Sequence, residues 1–170
     1  SGKTVVAAAA ALLASRAGLQ TAFLAPTEIL AHQHFATLER VLAPFSVSLG
    51  FLTGSQKRVA PSHGSVPLTT GGSVPLTTGD IVVGTHALLG KHAGFERLGL
   101  VVVDEQHRFG VRQRAALLQK QEVRSKEQGH ALIPHFLSMS ATPIPRTLAL
   151  TLYGDLDLSV LDEMPRSRKP

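Results

Sequence analysis

The sequence predicts an α/β fold with a mostly parallel sheet flanked by helices, on three observations. Short apolar runs recur along the chain: "TAFLAP", "VSLGFL", "DIVVGT", "LGLVVVDE" and "PHFLSMSAT". Longer stretches of helical pattern separate them, and strands that alternate with helices pair in parallel. The chain has 170 residues, 44% of them hydrophobic, enough for one domain with a packed core.

Each element has its own local reason. Residues 4–16 are rich in Ala and Leu and read as a helix, with Gly18 as its stop signal. Residues 21–26 read as a buried strand that Pro26 ends. A helix over 29–42 follows, with Pro44 just beyond it. Residues 47–52, 80–85 and 98–105 are the second, third and fourth strands. A long polar helix is expected over 112–128, with Leu117 and Leu118 turned inward. Residues 134–142 are the fifth strand and 145–153 a short helix; the charged, Pro-containing 155–170 reads as a linker. "GSVPLTTG" occurs at 64–71 and again, letter for letter, at 72–79. One tandem copy is no solenoid, so residues 62–79 read as an inserted surface loop.

Composition removes several classes. There are no cysteines, hence no disulfide framework or thiolate metal site, which fits a reducing cytoplasm. The apolar runs are too short for a bilayer span of about 20 residues, and no basic stretch leads into a signal sequence. A net charge of +5 is consistent with a solvated basic surface or with a polyanionic partner such as nucleic acid.

Three motifs carry chemistry. Gly2, Lys3 and Thr4 open a helix, where backbone N–H groups face an anion. In loops of this kind the lysine reaches phosphates and the threonine hydroxyl serves Mg²⁺. Next, "LVVVDEQH" ends a buried strand on Asp104 and Glu105. These two either cap the next helix or serve a metal and the attacking water. The carboxyl ends of strands are where α/β sheets gather their ligands. Last, "SMSATPIPRT" places Ser140 and Thr142 after another buried strand. The histidines at 32, 34, 63, 92, 130 and 135 form no recognisable ligand set and read as surface or boundary residues; His32 and His34 do not share a helix face. Arg108, Arg112, Arg114 and Arg146 are open between nucleic-acid contact and pairing with acids.

A phosphate loop followed by "APTEILAHQH", "GTHALL", "DEQH" and "SATPIPRT", in that order, resembles the first motor lobe of a superfamily 2 helicase. "VVVDEQHRFGVRQR" with "SATPIPRTLAL" is similar to the branch shared by RecG and the transcription-repair coupling factor. "FLTGSQK", "IVVGTHALL" and the tail "YGDLDLSVLDEMPRSRKP" look like RecG-type ATP-dependent DNA helicases. The resemblance implies a RecA-like P-loop NTPase lobe over 1–154 that uses ATP and Mg²⁺. Gly2, Lys3 and Thr4 would hold phosphates, with Thr4 and Asp104 on the metal and Glu105 on water. Gln106 and His107 would sense the γ-phosphate, and Ser140, Ala141 and Thr142 would couple nucleotide state to DNA grip. Pro26, Thr27, Glu28, Thr85 and His86 would touch a nucleic-acid backbone. The implied substrate is branched or forked DNA, bound largely without regard to sequence, in repair and recombination.

The rivals are the coupling-factor translocase and a non-catalytic module that binds DNA or a partner. The resemblance further implies a truncated start, a missing first strand and missing domains of the same polypeptide. The intact parent would hydrolyse ATP, and the isolated piece would be inactive. The missing strand is expected beside the Asp104 strand, in mid-sheet, leaving ladder groups unpaired there.

Overall fold

In the computed structural model the described residues are 2–60, 79–89, 95–105 and 133–140. Helix α1, Lys3–Arg16, is alanine-rich and buries Ala7, Ala8 and Ala11. These small side chains let it lie close against the sheet. It ends where the sequence predicts: Gly18 takes φ +69°. The Gly18 N–H donates to the Ser15 carbonyl and the Leu19 N–H to the Ala14 carbonyl, both at 2.9 Å, the paired bonds of a glycine-terminated helix. The chain turns there into strand β1, Gln20–Leu24, then helix α2, Glu28–Leu42. Strands β2 (Leu49–Leu52), β3 (Lys57–Ala60), β4 (Ile81–Gly84), β5 (Leu98–Asp104) and β6 (His135–Met139) complete the sheet. A 3-10 turn, His86–Leu89, follows β4.

The strand order is β3-β2-β4-β1-β5-β6. Every pairing is parallel except β2 with β3. The five strands expected from sequence are all present, each a residue or more shorter. Strand β3 is additional. It exists because "TGSQ" folds as a tight turn: the Thr53 N–H donates to the Gln56 carbonyl at 2.8 Å, and the Gln56 N–H donates to Thr53 Oγ1 at 3.1 Å. That turn sends the chain back antiparallel along β2.

One expectation is corrected. The Asp104 strand has no gap beside it: β5 pairs with β1 on one side and with β6 on the other. Its ladder is filled in mid-sheet, so no unpaired ladder at Asp104 weakens the site. The expected helices at 112–128 and 145–153, the linker at 155–170 and nearly all of the 62–79 insertion lie outside the described residues.

Side chains alternate across the sheet as a pleat requires. Phe23, Val83 and Val102 face the side carrying α1 and α2; Ala22, Val82, Val101 and Val103 face the other, with Leu88 and Phe95. Burial on both faces explains the continuous apolar runs. At the amino edge, side chains clamp neighbouring strands together. Asp80 Oδ2 accepts from the Ser48 N–H and hydroxyl, both at 2.8 Å. Gln20 Oε1 accepts from the N–H groups of Glu96 and Arg97 at 2.9 and 3.0 Å. At the carboxyl edge Gly84 admits no side chain, because a Cβ there would meet the Leu52 carbonyl. The described residues contain no helix long and apolar enough to cross a membrane.

Candidate functional site

The parallel registers align five strand ends along the carboxyl edge. Leu52 pairs with Gly84, Leu24 with both Gly84 and Val103, and Asp104 with Met139. Thr53, Thr85, Ala25, Asp104 and Ser140 therefore end neighbouring strands. At ~4.8 Å per strand the row is about 19 Å long. Both helices begin at this edge. Helix α2 follows β1 directly, and α1 runs back along β1 and β5 from its end at the amino edge.

Among the described residues no side chain caps the start of α1. Gly2 makes no side-chain cap, and no acidic residue lies in the first turn. A Cβ on Gly2 would meet nothing within 4 Å. A helix start presents N–H donors and the positive end of the helix dipole, and here Lys3 is exposed and Thr4 half-buried beside them. An anion such as a phosphate fits that start.

Asp104 is held from an unexpected quarter. Its Oδ2 lies 2.7 Å from His34 Nε2, with 15% of the Asp104 side chain and 13% of the His34 side chain exposed. A carboxylate only accepts, so Nε2 carries the proton between them. His34 is the boundary residue that the sequence reading expects, half-buried, but its pairing with Asp104 is not foreseen there. The sequence hides the contact because 70 residues separate the pair, and only the parallel β1/β5 pairing brings α2 over the end of β5. Asp104 Oδ1 has no hydrogen-bond partner among the described residues. The Thr4 hydroxyl and the Asp104 carboxylate are both oxygen donors of the type a hard cation such as Mg²⁺ takes. Glu105, next in the chain, takes φ +49°. That conformation is uncommon for a side chain with a Cβ, and such backbone is found at functional turns. Ser140 follows β6 directly, one residue beyond the Asp104–Met139 pair.

The other half of the row is made differently. Thr27 caps α2, its Oγ1 accepting from the Leu30 N–H at 3.3 Å. Glu28 is exposed, but its carboxylate is engaged: Oε2 accepts from the Ser55 hydroxyl at 2.8 Å and Oε1 from the Ser55 N–H at 3.3 Å. The Ser55 hydroxyl is the main reason its pKa sits below the ordinary glutamate value; Thr53 and the Ser55 and Gly54 backbone lower it further. Glu28 thus braces the turn after β2. Thr85 is buried, 3% exposed, and its hydroxyl has no hydrogen-bond partner among the described residues. His86 beside it is exposed, as Thr85 is not. Pro26 and Thr27 are half-buried at the end of β1. Gln106, His107, Ala141 and Thr142 lie outside the described residues.

Comparison with known proteins matches the chain along nearly its whole length. The family model described as DEAD/DEAH box helicase matches residues 1–151. The chain is 51% identical over 170 residues to the ATP-dependent DNA helicase RecG of Treponema pallidum, covering all of this chain and 24% of that protein. It is 47% identical to RecG of Escherichia coli K12, again over all of this chain and 23% of the relative. Among solved structures, RecG bound to a three-way DNA junction superposes with a TM-score of 0.65 at 38% identity, over 99% of this chain and 20% of that one. The helicase MrfA shares the fold, with a TM-score of 0.60 at 21% identity over 91% of this chain and 25% of that one. The chain thus spans about a quarter or less of the length of these relatives.

Proposed function

The chain belongs to the DEAD/DEAH box helicase family, and on that basis we propose that it is the nucleotide-binding first motor lobe of an ATP-dependent helicase acting on branched DNA in repair and recombination. The observation that carries the proposal is the meeting of the α1 start with the Asp104–Glu105 strand end at one edge of the sheet. RecG bound to a three-way junction supplies the substrate class by similarity.

In this reading the Gly2, Lys3 and Thr4 backbone and the Lys3 ammonium bind the nucleotide phosphates. Thr4 and Asp104 hold Mg²⁺, which supplies positive charge beside the phosphates when bound. Glu105 orients the attacking water and takes its proton. The left-handed backbone at Glu105 follows the last residue of β5, so two successive residues at one strand end serve different tasks. Ser140 stands at the adjacent strand end, where a change at the phosphates is felt first. On the far side of the row, Pro26, Thr27 and His86 are placed to meet a nucleic-acid backbone, with hydroxyl and N–H groups that grip phosphates without reading bases.

The test is phosphate release by the full polypeptide carrying this lobe, with forked DNA, with linear duplex and with neither. Lys3→Ala should abolish nucleotide binding and with it the DNA-dependent release. Forked DNA should stimulate the unaltered protein more than linear duplex does. Release that persists in Lys3→Ala, or no response to any DNA, overturns the proposal.

A further inference from the structure

We infer that His34 is a positioning residue for Asp104: its Nε2–H holds Oδ2, and so leaves Oδ1 available to the metal or its water. The inference rests on the reading of Asp104 as a Mg²⁺ ligand and adds a residue to that site.

Four observations carry it. The contact is short, 2.7 Å, as charge-assisted hydrogen bonds are. Both side chains are largely withdrawn from water, 13% and 15% exposed, so water competes poorly for the bond. The imidazole is itself braced: its ring centroid lies 4.8 Å from that of Phe23, at an interplanar angle of 44°. Phe23 is fully buried on β1, in register with Val102 of β5. Finally, α2 is anchored independently of any ligand, through its Thr27 cap and through the contact of His32 with Phe51, whose ring centroids are 4.4 Å apart. The donor is therefore in place before nucleotide arrives.

A free aspartate at a strand end rotates about χ1 and χ2 and presents either oxygen. Fixing Oδ2 removes that freedom and leaves the other oxygen for the cation or its water. Partners of this kind, one step out from a metal, commonly change its affinity about 10–100-fold when removed. The bond does not require the imidazole to be charged, since a neutral ring with its proton on Nε2 makes it equally.

The test measures binding rather than turnover. A fluorescent ADP analogue is titrated onto the full polypeptide at rising Mg²⁺, and the Mg²⁺ midpoint is read. His34→Phe keeps a ring against Phe23 but loses the donor, and should raise the midpoint about tenfold or more. His34→Gln restores an N–H near the Nε2 position and should return the midpoint to within a few-fold of the parent. Nucleotide affinity in EDTA should be the same in all three proteins. Asp104→Asn should raise the midpoint by itself, and His34→Phe should add nothing in that background. A midpoint unmoved by His34→Phe while Asp104→Asn moves it overturns the inference and leaves Asp104 in its role. An equal loss in His34→Gln and His34→Phe, or additive effects in the double variant, also overturns it. A midpoint unmoved by Asp104→Asn overturns the assignment of Asp104, and the inference falls with it.

Discussion

Helices α1 and α2 begin at the same edge of one sheet, yet their first turns are built in opposite ways. The α2 start is closed. Thr27 satisfies an N–H with its own side chain, and Glu28 sets a negative charge in the first turn. The α1 start has neither a capping side chain nor an acid, and a lysine stands in their place. A helix N-terminus attracts anions by its dipole and its orphan donors. Among the described residues, no side chain takes up either at α1. The α2 start instead spends them internally, and Glu28 repels a phosphate while bracing the Ser55 turn. A backbone-gripping segment at α2 therefore works through Thr27, Pro26 and neighbouring loops, with Glu28 as their support. The difference lies in which side chains meet each first turn: a capping hydroxyl and an acid at α2, a lysine at α1.

The largest effect is expected where the α1 half does its chemistry. Glu105→Gln keeps the shape of the side chain but cannot take a proton, and should lower phosphate release about 10²–10⁴-fold. Nucleotide binding should survive, because the α1 start is untouched. Single-turnover hydrolysis alongside equilibrium nucleotide binding separates the two. A normal hydrolysis rate would falsify the role given to Glu105.

The contrast can be broken directly by giving α1 the kind of first turn that α2 has. Val5 is 54% exposed in the first turn of α1. In Val5→Glu the new charge faces the same N–H groups as a bound phosphate. Without nucleotide the protein should gain about 0.3–1 kcal/mol from the helix dipole. With nucleotide, two negative charges ~8 Å apart at an effective dielectric of ~20 repel by about 2 kcal/mol, more than a tenfold loss of affinity. Val5→Gln should show neither change. Melting temperature and nucleotide affinity moving together in Val5→Glu would mean that α1 does not receive the phosphates.

The converse change opens α2. Thr27→Ala removes the cap on Leu30 and should cost about 1 kcal/mol of stability, read as a lower denaturant midpoint with an unchanged slope. Nucleotide affinity should stay at the parent value, because the α1 start does not depend on that cap. Loss of nucleotide binding at full stability would show that the two starts are not separate.

Much of this was legible in the sequence. The strands announced themselves because burial on both faces forces unbroken apolar runs, as in Val101, Val102 and Val103. Gly18 marked the end of α1 because the helix stop needs its positive φ. Strand β3 was not legible: "KRVA" carries no apolar run in the sequence, and the turn at Thr53–Gln56 sends the chain back along β2. The placing of an unpaired ladder beside Asp104 failed because neighbour order within a parallel sheet is set by crossovers, which local sequence does not encode. His34 was missed for the same reason. Its partner is assigned by the β1/β5 pairing, and nothing within one helical turn of it hints at an aspartate.

The smallest expected effect probes the brace that keeps the closed half closed. The Glu28 carboxylate is held below its ordinary pKa, chiefly by the Ser55 hydroxyl. A depressed carboxylate contributes stability that is present above its unfolded pKa and is lost as pH falls through the folded one. The brace is therefore complete at neutral pH and fades under acid conditions, below the ordinary glutamate range. Glu28→Gln removes the charge at every pH. The melting temperature of this variant should lie slightly below that of the parent at pH 7, and the gap should close as the pH is lowered. Because Glu28 is solvent-exposed, water screens its charge and the gap should be small. The local readout is sharper: the Ser55 amide, bonded to Oε1 at 3.3 Å, should exchange with solvent faster in Glu28→Gln at pH 7 and equally fast in both proteins in acid. A gap that stays constant across that range would mean that Glu28 steadies the Thr53–Gln56 turn by shape alone, and that the charge in the first turn of α2 serves another purpose.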